Sequence, residues 1–127
     1  MQNTINTKLK VALADDHILL RTALASLIDQ FDDCTVIFQV SNGKDLISQI
    51  AQGQRPDVLL LDLNMPEMDG YAAAKWMQEH QPGIHVLMLT MYDSELAMIR
   101  LLQAGVKGFL KKDIHPSELQ FAIRSVM

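Results

Sequence analysis

An Asp-Asp pair at 15 and 16, a lone Asp at 62, a Thr at 90 and a Lys at 112 carry the chemistry of this chain. Carboxylates held close together repel, and each then favours its protonated form. A bound cation relieves that cost. An oxygen ligand set, with no cysteine cluster and no close His pair, selects a hard ion, so Mg²⁺ is the expected cofactor. Such an ion keeps several waters and leaves room for a phosphoryl oxygen. The Thr90 hydroxyl and the Lys112 charge suit the oxygens of a phosphoryl group in transfer. One carboxylate can then act as nucleophile and form an acyl phosphate.

That chemistry requires elements that bring distant residues to one place. Short apolar runs at Leu9–Ala14, Thr35–Val40, Val58–Leu61, Val86–Leu89 and Gly108–Leu110 read as strands buried on both faces. Between them, apolar residues recur at helical spacing: Ile18, Leu19, Ala23, Leu24, Leu27, Ile28; Leu46, Ile47, Ile50; Tyr71, Ala74, Met77; Met98, Leu101, Leu102; and Leu119, Ala122, Ile123, Val126. Asn42-Gly43 and Asp69-Gly70 open the second and third helices, Ala104-Gly105 ends the fourth, and Pro116 fits the first turn of the fifth. Strands alternating with helices imply an α/β fold: a doubly wound, five-stranded parallel sheet with five helices covering its two faces. In such sheets ligands sit at the carboxyl ends of the strands. Strand one runs into Asp15-Asp16, strand three into Asp62, strand four into Thr90 and strand five into Lys112. Asp62, central in the sheet, is the geometric choice of nucleophile.

Bulk properties restrict the function classes. With 127 residues, 49% apolar and 20% charged, the chain is one ordinary domain and not a disordered segment. A net charge of −4 and a pI of about 5.4 give no basic field for nucleic acid or an acidic membrane. The single Cys34 excludes an internal disulfide and reads as a small core residue of a cytoplasmic protein. The polar start of the chain lacks a signal peptide's apolar stretch, and no apolar run nears the ~18 residues of a membrane span. Residues 1–8 read as a tail and 9–127 as the domain.

The segments LADDHILLR, LLLDLNMPEMDG, LMLTMYDSE and GVKGFLKKD resemble the receiver domains of two-component response regulators, in wording closest to the NarL/LuxR-type subfamily. The resemblance runs from about Lys8 to Met127, and four motifs on the right strand ends are far more specific than any one. It implies the sheet order 2-1-3-4-5 of the flavodoxin-like or CheY-like fold, and that Asp62 is the phospho-acceptor, served by a sensor histidine kinase. It implies Mg²⁺ held by Asp15, Asp16, Asp62 and the backbone carbonyl of Asn64, with Asp16 the more direct ligand of the pair. Thr90 and Lys112 would bind phosphoryl oxygens. Lys112 is preferred to Lys111 because it precedes Asp113 and lies three residues after Phe109, while strand alternation turns Lys111 to the other face. The resemblance further implies a switch. Thr90 moves toward the phosphoryl group, Phe109 turns into the space it leaves, and the helix 4/strand 5/helix 5 surface is remodelled. It also implies a C-terminal helix-turn-helix domain that would carry DNA binding and transcriptional output, and a homodimer through the first and fifth helices on phosphorylation. Two departures stand out. Phe109 replaces a common Tyr and lacks its hydroxyl, and Asp113 stands where the family often has a Pro after a cis bond.

Each residue has a plainer reading. An Asp-Asp pair is often a solvated cap, Thr90 a cap and Lys112 a solvated lysine; their coincidence at four strand ends weighs against that. His17 reads as the start of the first helix, beside the site but outside its chemistry. Met65, Met68, Met88 and Met91 read as packing residues, and Tyr92 as a cover limiting water access to Asp62. A turnover enzyme of the aspartyl-phosphate phosphatase type would place a second Asp at position 64, where Asn64 stands, and would need a cap domain. A phosphorylation-independent binding module would have lost part of the acidic and lysine set, which is intact. A nucleotide or flavin carrier would show a Gly-rich loop after the first strand, and none is there.

Overall fold

The computed structural model describes residues 8–91 and 95–127. Its elements run β1 (Leu9–Ala14), α1 (Ile18–Asp29), β2 (Cys34–Val40), α2 (Gly43–Ala51), β3 (Val58–Asp62), α3 (Gly70–His80), β4 (His85–Thr90), α4 (Glu95–Gln103), β5 (Gly108–Lys111) and α5 (Pro116–Ser125). All strand pairs are parallel, as the alternation of apolar runs and amphipathic stretches predicts, and the order is β2-β1-β3-β4-β5, the one that the receiver resemblance implies.

The strands read as unbroken apolar runs because each face of the sheet has its own core. Ala12, Ala14, Leu59, Leu61, Val86 and Met88 pack on the side of α2, α3 and α4. Val11, Leu13, Val58, Leu60, Leu87 and Leu89 pack on the side of α1 and α5. Leu59, Leu60 and Leu61 are wholly removed from solvent. Full burial of such a side chain stabilises by about 1.5–3 kcal/mol relative to exposure, so β3, central in the sheet, is a rigid platform for the residue that ends it.

The helix starts follow local chemistry. Asn42 Oδ1 accepts from Asp45 N at 2.8 Å, and Asp69 Oδ1 from Ala72 N at 2.9 Å, each satisfying a donor that the helix leaves unpaired. Pro116 occupies the first turn of α5, after the cap His115, whose Nδ1 accepts from Ser117 N at 3.1 Å. At Gly70 a Cβ would lie 2.2 Å from the Asp62 carbonyl oxygen and 2.7 Å from Leu63 Cα. The glycine therefore lets the start of α3 press against the end of β3. Gly105, just past α4, takes φ +90°, the left-handed conformation in which helices commonly end.

Two expectations about helix faces need correcting. Ile18 (61% exposed), Leu19 (89% exposed) and Ala23 lie outside the buried face of α1, which comprises Leu24, Ala25 and Ile28 with Leu20 packed beside them; Leu19 stands five residues before Leu24, about 140° round the helix. On α4, Leu101 is buried while Leu102 faces outward. Cys34 is buried, as expected of a small core residue, and burial pushes its thiol up to about 12. Met65 and Met88 are buried packing residues, but Met91 is exposed. Tyr92 lies outside the described residues.

Candidate functional site

Parallel strands deliver their carboxyl ends to one edge, and the polar residues there follow directly from strand alternation. Asp15 continues the series Val11, Leu13 past the end of β1; Asp62 continues Val58, Leu60; Lys112 continues Leu110. The β4–β5 register runs without a shift to Thr90↔Lys111, so Lys112 follows one residue later on the opposite face from Lys111. Thr90 ends β4, is 6% exposed, and its carbonyl accepts from Lys112 N at 3.3 Å. The Lys112–Asp113 peptide bond is trans.

Of the expected side chains, those of Lys112, Asp62 and Asp15 meet at this edge, and His17 joins them. Lys112 Nζ lies 3.1 Å from Asp62 Oδ1 and 3.4 Å from Asp15 Oδ2. All three groups are withdrawn from solvent, with side-chain exposures of 5%, 3% and 0% for Lys112, Asp62 and Asp15. One ammonium faces two buried carboxylates, and the charges do not balance. The strain falls on Asp62. Burial raises its carboxyl to about 6, with the Asp15 charge adding to the rise, while Lys112 and the Asn64 N–H oppose it. Asp62 Oδ1 accepts from Asn64 N at 3.4 Å, which places the Asn64 backbone beside the acceptor. Asp16 stays partly exposed at the rim.

The addition is His17. Its Nδ1 comes within 3.0 Å of Asp15 Oδ1, 3.6 Å of Asp16 Oδ1 and 3.9 Å of Asp62 Oδ2, and 2.8 Å of Lys112 Nζ. His17 N also donates to Asp15 Oδ1 at 2.8 Å, closing the tight turn between β1 and α1. No periodicity rule orients a side chain at a helix cap, so its inward turn had no signal in the sequence. Arg21 was also not singled out. One turn into α1, its Nη1 donates to the Asp15 carbonyl at 3.0 Å and to Ser41 Oγ at 2.6 Å, tying the acidic loop to the end of β2.

The site fits a divalent cation on its own geometry. Asp15 Oδ2 and Asp62 Oδ2 are buried and take no hydrogen bond among the described residues. Leaving such an acceptor unsatisfied costs about 1–3 kcal/mol, more when it is charged. Ligand atoms of Asp15, Asp16, His17 and Asp62 all lie within 4.8 Å of one another. Phe109 sits away from this cluster and half buried. It packs on the α2–α4 side and lines a groove of about 720 Å³ with Leu110, Ile114, His115, Glu118 and Phe121.

Comparison with known proteins agrees with this arrangement. The response regulator receiver domain model matches residues 11–124. The transcriptional regulatory protein YxjL of Bacillus subtilis is 38% identical over 118 residues, covering 93% of this chain and 54% of that protein. The oxygen regulatory protein NreC of Staphylococcus epidermidis is 33% identical over 119 residues, with the same two coverages. The chain thus spans about half the length of these curated relatives. Among solved structures, the signal receiver domain of NarL from Mycobacterium tuberculosis superimposes with a TM-score of 0.87 at 29% identity, covering 94% of this chain and 95% of that one. The response regulator ChrA of a haem-sensing two-component system gives 0.77 at 34% identity, over 94% and 56%. Among the described residues no helix is long and apolar enough to cross a membrane. Sheet order, strand-end chemistry and these matches agree: the chain belongs to the response regulator receiver domain family, with relatives of the NarL and NreC type.

Proposed function

We propose that this domain accepts a phosphoryl group on Asp62 from a phosphohistidine of a sensor histidine kinase. The observation that carries the reading is the Lys112 ammonium 3.1 Å from Asp62 Oδ1 and 3.4 Å from Asp15 Oδ2, with Asp62 Oδ2 buried and without a hydrogen bond among the described residues. In the transfer an Asp62 oxygen attacks phosphorus, the P–N bond breaks, and the imidazole nitrogen leaves with the bonding pair. Asp62 must be ionised to attack, and its neighbour Lys112 favours that form. As charge shifts onto the acyl phosphate, Lys112 turns its ammonium to a phosphoryl oxygen and Thr90 donates its hydroxyl to another. Asp15, Asp16, Asp62 and the Asn64 carbonyl would hold Mg²⁺, which supplies charge neutralisation at the phosphoryl oxygens. Water later attacks phosphorus, the acyl P–O bond breaks, phosphate departs and the carboxylate is restored. The domain thus promotes its own loading and unloading and turns over no external substrate.

The switch uses the same edge. Thr90 drawn toward the phosphoryl group leaves space for Phe109, whose half-buried position beside the α5 groove makes its rotation a change of the α4–β5–α5 surface. The relatives are regulators about twice as long. In this reading a C-terminal helix-turn-helix domain carries DNA binding, dimerisation through α1 and α5 follows phosphorylation, and the protein acts in the cytoplasm.

Beryllofluoride with Mg²⁺ tests the proposal, because it mimics a phosphoryl group on a carboxylate. Amide NMR should show Mg²⁺-dependent binding with shifts at Thr90, Phe109 and α4, and an Asp62→Ala variant should show none. A folded protein that ignores beryllofluoride in the presence of Mg²⁺ would instead be a phosphorylation-independent binding module.

A further inference from the structure

We infer that Arg21 is a positioning residue for the acidic pair: its guanidinium, anchored on Ser41, fixes the carbonyl that joins Asp15 to Asp16 and so sets how tightly the two carboxylates take Mg²⁺. The inference rests on the cation site proposed above and gives a role to a residue outside its ligand set.

The turn that carries the acidic pair has no side-chain helix cap. At the starts of α2, α3 and α5 a side chain accepts from an N–H of the first turn, whereas His17, at the start of α1, makes no such bond. Asp15 is wholly buried, so its backbone groups need partners inside the protein. Its N–H donates to the Val40 carbonyl at 3.0 Å, and its carbonyl accepts from Arg21 Nη1 at 3.0 Å. Helical side chains lean toward the amino end of their helix, which brings the guanidinium back to a residue six positions earlier. The end of β2 receives the same group. Nη1 donates to Ser41 Oγ at 2.6 Å and Nε to Gln39 Oε1 at 3.3 Å. A planar fork keeps these donors in fixed relation, which a single ammonium cannot do.

Arg21 is a cation close to an acidic cluster, yet its bonds among the described residues go to a carbonyl, a hydroxyl and an amide oxygen. The carboxylate oxygens of Asp15, Asp16 and Asp62 are thereby left to Lys112, His17 and an incoming ion. The peptide between Asp15 and Asp16 is planar, so holding its oxygen limits the directions from which both side chains depart. Mg²⁺ demands near-ideal octahedral geometry and gains from ligands already in place. Brace and charge predict opposite results. Loss of a nearby positive charge alone would favour an incoming cation, whereas loss of a brace disfavours it.

Mg²⁺ titration followed by calorimetry and amide NMR separates the two. Arg21→Ala should bind Mg²⁺ at least ~10-fold more weakly, in the range that loss of a partner orienting a ligand costs a metal site. Arg21→Lys should fall between that variant and wild type, and Ser41→Ala should shift the same way by less. With phosphoramidate as donor, half-saturation by Mg²⁺ should rise by the same factor while the rate at saturating Mg²⁺ stays within ~3-fold, the pattern of lost binding and not of lost chemistry. A merely structural Arg21 would lower the urea midpoint and leave the Mg²⁺ affinity of the folded domain unmoved. Unchanged or tighter Mg²⁺ binding by folded Arg21→Ala overturns the inference and leaves Asp62 standing as the acceptor. If Arg21→Ala does not fold, unchanged affinity in both Arg21→Lys and Ser41→Ala overturns it. Absence of Mg²⁺ binding by wild type overturns this inference and the proposed cation site together.

Discussion

The two edges of the sheet use the same residue types to opposite ends. At the amino ends of the strands, Asp57 Oδ2 accepts from Lys10 N at 2.8 Å, the Asp57 carbonyl accepts from His85 N at 3.0 Å, and Asp57 N donates to Lys10 O at 2.8 Å. Asp33 accepts from Arg124 Nε and from Gln120 Nε2, and its carbonyl takes Leu9 N at 2.8 Å. Arg124 holds the Asp33 carboxyl below its ordinary range. At the carboxyl ends, Asp15 and Asp62 share one ammonium, two of their oxygens go without hydrogen bonds, and Asp62 is pushed up to about 6. Aspartates joined to donors are structural joints. Aspartates buried short of donors hold a place for something the chain does not encode.

The largest way to break that contrast is Lys112→Met. It leaves two buried carboxylates with no cation, and breaking a buried pair costs about 3–5 kcal/mol. Urea denaturation at pH 8 in chelator should show a loss near the low end of that range, smaller at pH 5, where Asp62 can take a proton instead. Asp62→Asn should act in the reverse direction. In the ion-free protein the folded carboxyl keeps its proton to about 6, against an ordinary 3.8 in the unfolded chain. Its favourable contribution is therefore complete below about 3.8 and is lost as pH rises through 6. The amide should stabilise the domain by about 1–3 kcal/mol above pH 6, following from a shift of roughly two pH units, and should flatten the pH profile while abolishing beryllofluoride binding.

At the opposite edge effects should be smaller. Asp57→Ala removes one side-chain acceptor from a partly exposed strand start, worth about 1 kcal/mol, and should leave the response to beryllofluoride unchanged. Arg124→Ala should cost least in stability, because the guanidinium is solvated. Its signature is in NMR titration, where Asp33 should move up toward the ordinary carboxylate range. Asp33 stabilises above that range, and its contribution disappears as pH falls through its lowered value, a slope opposite in sign to that of Asp62. Matching slopes at the two edges would dissolve the comparison.

The sequence made much of this legible because alternation does the positioning. Once β1, β3 and β5 are read as strands buried on both faces, the parity of Leu13, Leu60 and Leu110 already sends Asp15, Asp62 and Lys112 to one side. Caps at Asn42 and Asp69 were equally plain, since a short polar side chain before an apolar run has few other uses. Parity fails where the chain leaves regular structure. His17 caps α1 at φ −82°, ψ 89°, and its ring direction depends on a tight bend that no repeat describes. Leu19 misled for a different reason: an apolar type suggested burial, but its position about 140° round the helix from Leu24 turns it away from the sheet.

The contact between Lys112 and His17 joins residues 95 positions apart. A chain emerging in order from its point of synthesis therefore displays its aspartates long before the ammonium that faces them. Pairings between distant segments also form late in folding, after the loop between them has closed. Under the proposed function, readiness to accept a phosphoryl group thus follows completion of the fold, and a half-built or edge-frayed domain would stay unphosphorylated.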